Sequence, residues 1–192
     1  MQKQLEQSLE TWWESYKRNF ILLVGRVQRT EHGFDTVSEG QAYAIILSVF
    51  TEDRDTFDLI YDWTKKHLSR KNKEGDHFLA WHWEGNGVSD WMPASDADCD
   101  YAFVLLLASY RRMEDKCAAK AIHIINDILD KETVRMSDNH LFLLPGLWGN
   151  EKDACLTQNP SYYNPAAFHL FYYAMQDSRL LDLIETRYFN IN

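Results

Sequence analysis

The sequence has few cysteines and few positive charges. Its three cysteines, Cys99, Cys117 and Cys155, are widely spaced and form no Cys-x-x-Cys pair. Neither a disulfide framework nor a zinc site is therefore expected, and Cys99 and Cys117 are interpreted as small buried residues in or beside helices. Lys and Arg number 20 against 29 Asp and Glu, for a net charge of −9. This balance argues against a nucleic-acid partner, because phosphate binding needs clustered cations.

The sequence also lacks long apolar runs, domain linkers and low-complexity segments. No segment approaches the length of a membrane span, and residues 1–6 are polar, so no secretory signal is expected in this chain. At 192 residues the chain is long enough for one domain with a sizeable core. The basic cluster at residues 65–73 ends a predicted helix, where positive charge suits the helix dipole.

The hydrophobic pattern predicts seven helices in which two kinds alternate. Amphipathic helices are expected at residues 5–20, 53–71, 117–130 and 178–185, and helices that are apolar nearly all round at 42–50, 95–108 and 166–175. A helix that is apolar on every side must be buried. We therefore predict an all-α ring of helical hairpins whose inner layer is the apolar set. A short strand is expected at residues 141–144.

Each apolar helix is preceded by a polar start. The three starts are Ser38-Glu39-Gly40-Gln41, Ser95-Asp96-Ala97-Asp98 and Asn159-Pro160-Ser161-Tyr162-Tyr163. Ser38 and Gln41 match the capping-box pattern of a helix N-terminus. Because every second helix is an inner one, all inner helices should point the same way and their starts should gather at one mouth. Carboxylates and a tyrosine gathered there predict a functional site.

Several tryptophans fall in predicted loops, where burial does not require them. These are Trp81, Trp83, Trp91 and Trp148. Flat rings beside carboxylates are typical of carbohydrate sites, since the rings stack on sugar faces. The helical residues Trp12, Trp13 and Trp63 are instead interpreted as packing. His82 and His169 have no second ligand nearby in sequence, so no metal is expected.

Four stretches, taken in order, resemble the family 8 glycoside hydrolases, which include bacterial endoglucanases, chitosanases, lichenases and xylanases. They are Thr36-Val37-Ser38-Glu39-Gly40-Gln41-Ala42-Tyr43, Leu79-Ala80-Trp81, Ala94-Ser95-Asp96-Ala97-Asp98 with Ala102, and Leu144-Pro145-Gly146-Leu147-Trp148 with Asn159-Pro160-Ser161-Tyr162. Domains of that family are six hairpins closed into an (α/α)6 barrel and are nearly twice this length. The resemblance therefore implies that residues 1–192 form a single partial (α/α) barrel of the catalytic type, about the first half.

The resemblance also implies an activity, the inverting hydrolysis of β-1,4-linked polysaccharide of the cellulose or chitosan class, without a cofactor. It makes Glu39 the general acid and Asp96 a residue that grips the sugar at the cleavage subsite. Trp81 and Trp148 become stacking platforms, and Tyr162 a polar contact to the central sugar. The alternative is that the two acids merely favour a helix start and the two tryptophans merely pack.

Glu39 meets a physical difficulty in this role, because the first turn of a helix favours an ionised carboxylate. Burial or a neighbouring carboxylate such as Asp96 would favour the protonated acid. In the same region, Asp98 and Asp100 are interpreted as solvated or capping acids, and Tyr163 as a core residue.

The general base of the resembled family has no counterpart here. Its Tyr-Asp-Ala-x-Arg context is not matched, and Asp177 lies at the end of a predicted helix rather than at an inner-helix start. A second interpretation is therefore a truncated or split relative that binds sugar poorly or only associates with a partner. An open barrel would expose apolar flanks, which predicts self-association or a second chain completing the ring. The resembled family is mostly exported in bacteria, and the location of this chain stays open.

Overall fold

The computed structural model describes residues 2–111, 116–149 and 156–189, which form eight α-helices and five short β-strands. The helices are α1 (Gln2–Phe20), α2 (Ser38–Phe50), α3 (Arg54–His67), α4 (Lys71–Glu74), α5 (Ser95–Tyr110), α6 (Cys117–Lys131), α7 (Pro165–Met175) and α8 (Arg179–Phe189). The strands are β1 (Thr36–Val37), β2 (His82–Glu84), β3 (Gly87–Asp90), β4 (Thr133–Arg135) and β5 (Leu141–Leu143). Cys155 lies outside the described residues.

Helix α5 lies at the centre of an arc of helical hairpins. It packs against α2 on one side and α7 on the other, and α2, α5 and α7 pack against α3, α6 and α8 respectively. The inner helices supply much of the core, with Ile45, Tyr101, Leu105, Phe168 and Phe171 fully buried. The predicted alternation of inner and outer helices and the all-α class are thus confirmed. The single-turn helix α4 was not predicted.

Only the first part of the basic cluster at residues 65–73 lies at the end of a helix. Lys65, Lys66 and His67 occupy the last turn of α3, as expected. The helix stops there because the chain turns into an antiparallel bridge between Ser69 and Leu79. Arg70, which was expected at the end of this helix, lies beyond it and is 4% exposed.

The predicted capping box at the start of α2 is wrong. The N-cap residue is Val37, and the Ser38 hydroxyl donates to the Glu39 carboxylate. Gln41 is fully buried, where its side-chain oxygen accepts from the Val27 N–H and its amide nitrogen donates to the Thr64 hydroxyl at 2.7 Å. Gln41 therefore fastens a distant loop and α3 to α2 rather than closing the helix end.

The third polar start also differs from the prediction. Asn159 begins only a 3₁₀ turn, Pro160–Tyr162, in which its side chain accepts from the Ser161 N–H at 3.2 Å. Helix α7 begins after Asn164, whose side chain accepts from the Ala167 N–H at 3.1 Å. Proline follows each of these asparagines at the first helical position, where its missing N–H costs nothing.

Strands β1, β2 and β3 form a small antiparallel sheet that was not predicted from the sequence. Strand β2 pairs with β1 on one side and with β3 on the other, placing Thr36 opposite Trp83. Since β1 runs directly into α2, this sheet ties the start of α2 to the segment that carries Trp81. The strand expected at 141–144 is confirmed as β5, which pairs with β4.

The tryptophans divide between core and surface. Trp13 and Trp63 are 4% and 6% exposed, which confirms their packing role. Trp12 is 77% exposed, so its interpretation as packing is wrong. Trp83 lies in β2 rather than in a loop, with its ring edge-on to that of Trp63 at 5.4 Å.

Three further residues that were expected to be buried lie in the core. Cys99 and Cys117 are fully buried, and Tyr163 is 4% exposed. None of the described helices is both long enough and apolar enough to cross a membrane. In residues 2–111, 116–149 and 156–189, no three His, Cys, Asp or Glu side chains group as metal ligands.

Replacing Gly25 with alanine should destabilise the fold more than the same change at Gly33. Both glycines have positive φ, +89° and +73°, which costs an alanine roughly 1–2 kcal/mol. Only at Gly25 would the new Cβ meet backbone, 2.1 Å from the Leu59 carbonyl oxygen. Urea unfolding followed by circular dichroism measures both losses. Equal losses would show that the contact with Leu59 does not matter.

Candidate active site

The first turns of α2 and α5 and the turn before α7 meet at one end of the arc. They carry Glu39, Asp96 and Tyr162 respectively. The three residues also interact electrostatically. Burial, and then the negative charges of Asp96 and Glu39, raise the pKa of Tyr162. The structure thus brings together residues that stand far apart in the sequence.

Four of the five residues singled out from the sequence line one cavity of about 260 Å³. They are Glu39, Trp81, Trp148 and Tyr162. Asp96 does not line this cavity, but it lies near enough to Glu39 for the two charges to interact. The cavity, which Asp90 also lines, therefore combines two carboxylates with three aromatic side chains at the mouth of the inner helices.

Trp81 and Glu39 are joined directly. The indole Nε1–H of Trp81 donates to Glu39 Oε1 at 3.2 Å, and the Ser38 hydroxyl donates to Oε2 at 3.2 Å. The main chains of the two segments are also joined, because the Ser38 N–H donates to the Trp81 carbonyl at 3.0 Å. The Trp81 N–H in turn donates to the Met92 carbonyl at 2.8 Å. The ring of Trp81 is therefore held in a fixed position beside the carboxylate.

Asp96 has a pKa raised to about 6. Burial is the main cause and the charge of Glu39 adds to it, while the Ala97 N–H, which donates to Oδ1 at 2.9 Å, opposes the shift. A raised pKa means that the folded state binds the proton more tightly than the unfolded chain does. The contribution of Asp96 to stability therefore falls as pH rises from about 4 to about 6.

Trp148 projects from a loop held against the start of α5. The Ser95 N–H donates to the Pro145 carbonyl at 3.3 Å. A Cβ on Gly146 would lie 2.6 Å from the Pro93 carbonyl oxygen and 3.0 Å from Trp148 Nε1, so only glycine lets these segments approach so closely. The Trp148 side chain is 48% exposed. A broad aromatic face is therefore open to a ligand.

The interpretation of Asp98 and Asp100 as solvated or capping acids is wrong. Asp98 is fully buried, and its Oδ1 accepts from the Leu79 N–H at 2.9 Å. Asp100 is partly buried and accepts from the Asn164 side-chain amide at 3.1 Å, which links α5 to the start of α7. Both acids hold neighbouring segments in place around the site.

A charged group beside the cavity was missed in the sequence. His82 is not isolated, because its Nε2 lies 2.7 Å from Asp35 Oδ2, and Asp35 also pairs with Arg29. The Arg29 and His82 hydrogen bonds hold the pKa of Asp35 down to about 2. The His82 ring lies 5.1 Å from that of Trp81, so this group supports the tryptophan from behind. Only the adjacency of His82 to Trp81 could have signalled it.

Two further side chains are not among the residues that line the cavity. Tyr43, on the second turn of α2, is 50% exposed, and burial and the charges of Asp100, Asp96 and Glu39 raise its pKa. It was not singled out from the sequence as a site residue. Asp177, which was rejected as a general base, lies beyond the end of α7 and pairs with Arg179 at 2.8 Å. It is not among the residues that line the cavity.

Fold and site together define a protein built as an arc of helical hairpins with an acidic, aromatic cavity at one end. The family model "Glycosyl hydrolases family 8" matches residues 4–189. The chain belongs to glycosyl hydrolase family 8.

Curated relatives carry the name endoglucanase. The chain is 32% identical to the endoglucanase of Cellulomonas uda over 167 residues, which are 84% of this chain and 45% of that protein. It is 31% identical to the endoglucanase of Escherichia coli O157:H7, covering 84% of this chain and 46% of that one. The chain thus spans about half the length of the curated relatives it matches.

Solved structures show the same fold. An endo-β-1,4-glucanase from an Achatina fulica gut metagenomic library matches with a TM-score of 0.84 and 26% identity, over 91% of this chain and 55% of the other. The endo-β-1,4-glucanase of Acetobacter xylinum matches with a TM-score of 0.86 and 24% identity, over 95% and 57%. The described arc is therefore about half of the (α/α)6 barrel of this family.

Changing Glu39 to glutamine should lower the pKa of Asp96 below its value of about 6, because one of the charges that oppose ionisation is removed. Carbon-13 NMR of the aspartate carboxyl groups, followed from pH 3 to 8, measures the change. Glu10→Gln, at an exposed position of α1, is the control and should leave the titration of Asp96 unchanged. An unaltered Asp96 titration in Glu39→Gln would contradict the electrostatic link.

Proposed function

We propose that this chain carries the acid side of a glycoside hydrolase active site that cleaves β-1,4-linked polysaccharide by an inverting acid/base mechanism. The observation that supports it best is the cavity in which Glu39 lies among Trp81, Trp148 and Tyr162, with Asp96 beside it. Carboxyl groups and several aromatic rings at one mouth suit a sugar chain, which offers apolar faces for stacking and oxygens for proton transfer.

In this proposal Glu39 is the general acid. It donates its proton to the glycosidic oxygen as the bond to the sugar carbon breaks, and a second carboxylate takes a proton from the attacking water on the opposite face. Asp96 accepts hydrogen bonds from sugar hydroxyls at the cleavage subsite. No residue in the described ranges is assigned as the base. Residues 1–192 are therefore proposed to form a single, partial catalytic domain.

The aromatic residues position the sugar chain. Trp81 is the more rigid platform, since its indole and main chain are both hydrogen-bonded. Trp148 is half exposed and offers a second stacking face, and Tyr162 lines the same cavity and offers a hydroxyl. Stacked rings of this kind fix a sugar without strong polar contacts, which leaves the glycosidic oxygen free to approach Glu39.

Two observations bear on the substrate. The relatives are named endoglucanases, and one compared structure is a β-1,3-1,4-glucanase from Paenibacillus, which favours a β-glucan. The charge of the site favours a cationic polymer such as chitosan, because Glu39, Asp96 and Asp100 lie close together. Testing a neutral β-glucan, soluble anionic cellulose derivative and chitosan side by side separates these classes.

Glu39→Gln should reduce the release of reducing sugar by roughly 10²- to 10⁴-fold, the usual contribution of a general acid. The assay compares the three polymers, with Glu10→Gln as a control that should keep the wild-type rate. Equal rates for wild type and Glu39→Gln would contradict the proposal, whereas absence of release by the folded wild-type chain would favour a truncated relative that lacks its general base. Circular dichroism of each variant confirms that it is folded.

A second candidate function, association with a partner, is favoured by an apolar groove on the open flank of the arc. The groove has a volume of about 360 Å³ and is lined by Ser8, Leu9, Trp12, Trp13, Tyr16 and Leu47. Trp12 and Leu9 are 77% and 42% exposed. Apolar patches of this kind mark interaction sites. We infer that a second copy of the chain covers this groove in the purified protein.

Size-exclusion chromatography with light scattering should therefore show a dimer, and Trp12→Ser should shift it towards monomer. Leu23→Ser is the matched control, because Leu23 is 97% exposed but does not line the groove. A wild-type chain that stays monomeric at high concentration would exclude this association. Loss of the dimer in both variants would show that the contact lies elsewhere.

A further inference from the structure

Four ionisable side chains are buried near the start of α5, and none of them lines the cavity. Arg70 and Asp76 form an ion pair at 2.9 Å, and Asp98 and Glu132 are fully buried. Burying charge is costly unless each group is paired or hydrogen-bonded. Arg70 and Asp76 satisfy one another, whereas Asp98 and Glu132 need a separate explanation.

The two remaining acids differ in what they contact. Asp98 Oδ1 accepts from the main-chain N–H of Leu79 at 2.9 Å. Neither carboxyl oxygen of Glu132 has a hydrogen-bond partner in the described part of the chain. Burial raises the pKa of both, and the charge of Asp98 raises that of Glu132 further. Only Asp98 acts on the segment that carries Trp81.

The main-chain N–H groups of residues 79–81 donate hydrogen bonds to three different segments of the chain. The Leu79 N–H donates to Asp98 at the start of α5, the Ala80 N–H donates to the Leu68 carbonyl at 2.7 Å, and the Trp81 N–H donates to the Met92 carbonyl. The bond to Asp98 is the one made by a side chain. It is therefore the one that a single substitution can remove without changing the backbone.

This arrangement forms a continuous path from α5 to the cavity. Asp98 holds Leu79, two residues before Trp81, and the Trp81 indole donates to Glu39 on α2. We propose that Asp98 is a positioning residue, whose buried carboxyl oxygen sets the place of residues 79–81 and so the distance between the Trp81 ring and Glu39. Its relevance to sugar cleavage rests on the proposed function, but the placement itself does not.

The test is NMR of the nitrogen-15-labelled full chain. Asp98→Ala should raise the exchange rate of the Leu79 amide about tenfold, as expected for loss of one buried hydrogen bond, and should shift the Trp81 indole N–H resonance. Asp98→Asn keeps an acceptor oxygen and should restore both signals. Glu132→Gln is the matched control, since it changes a buried acid that does not contact residues 79–81, and it should leave both signals in place.

Three results would overturn the proposal. A folded Asp98→Ala chain with an unmoved Trp81 indole resonance would do so, as would an equal shift in Glu132→Gln. If Asp98→Ala does not fold, the wild-type chain decides, because the hydrogen bond should give a scalar coupling between the Leu79 amide nitrogen and the Asp98 carboxyl carbon. Absence of that coupling would overturn it. None of these readouts needs catalysis, so an inactive chain would affect only the proposed function.

Discussion

Residues 79–81 are hydrogen-bonded to the first turns of both α2 and α5, and the geometry of the candidate site depends on these bonds. Ser38 and Glu39 hold Trp81 from α2, while Asp98 holds Leu79 from α5. Helix starts have free N–H groups and attract carboxylates, so two adjacent starts gather acids at one mouth. The loop that crosses them supplies the indole that meets those acids.

This concentration of acids has an energetic cost that the fold accommodates in two ways. Near the cavity, burial and the Glu39 charge raise the pKa of Asp96 to about 6, so its ionisation depends on its neighbour. Deeper in the core, Asp98 and Glu132 are buried, and burial raises the pKa of each. A site assembled in this way responds to pH through Asp96.

The inner layer could be predicted because burial leaves a local trace in the sequence. A segment such as α5, apolar on nearly every side, can lie only in a core, and its partners α2 and α7 follow from the same rule. Alternation of inner and outer helices then placed Glu39, Asp96 and Tyr162 at one end. The family resemblance added Trp81 and Trp148, which periodicity alone would not have selected.

Two of the errors share one cause, because each concerns a partner that is distant in sequence. Gln41 binds Val27 and Thr64 instead of capping its own helix, and Asp98 binds Leu79 instead of water. Trp12 stands on a helix whose period suited packing, yet it is 77% exposed on the open flank.

By itself, the sequence determined the helical class, the inner set and the chemical character of the mouth, since these follow from the local spacing of apolar and acidic residues. Only the tertiary structure decided which hydrogen bonds the buried polar groups make. A buried donor or acceptor must find a partner wherever the chain brings one, and sequence distance does not limit that choice.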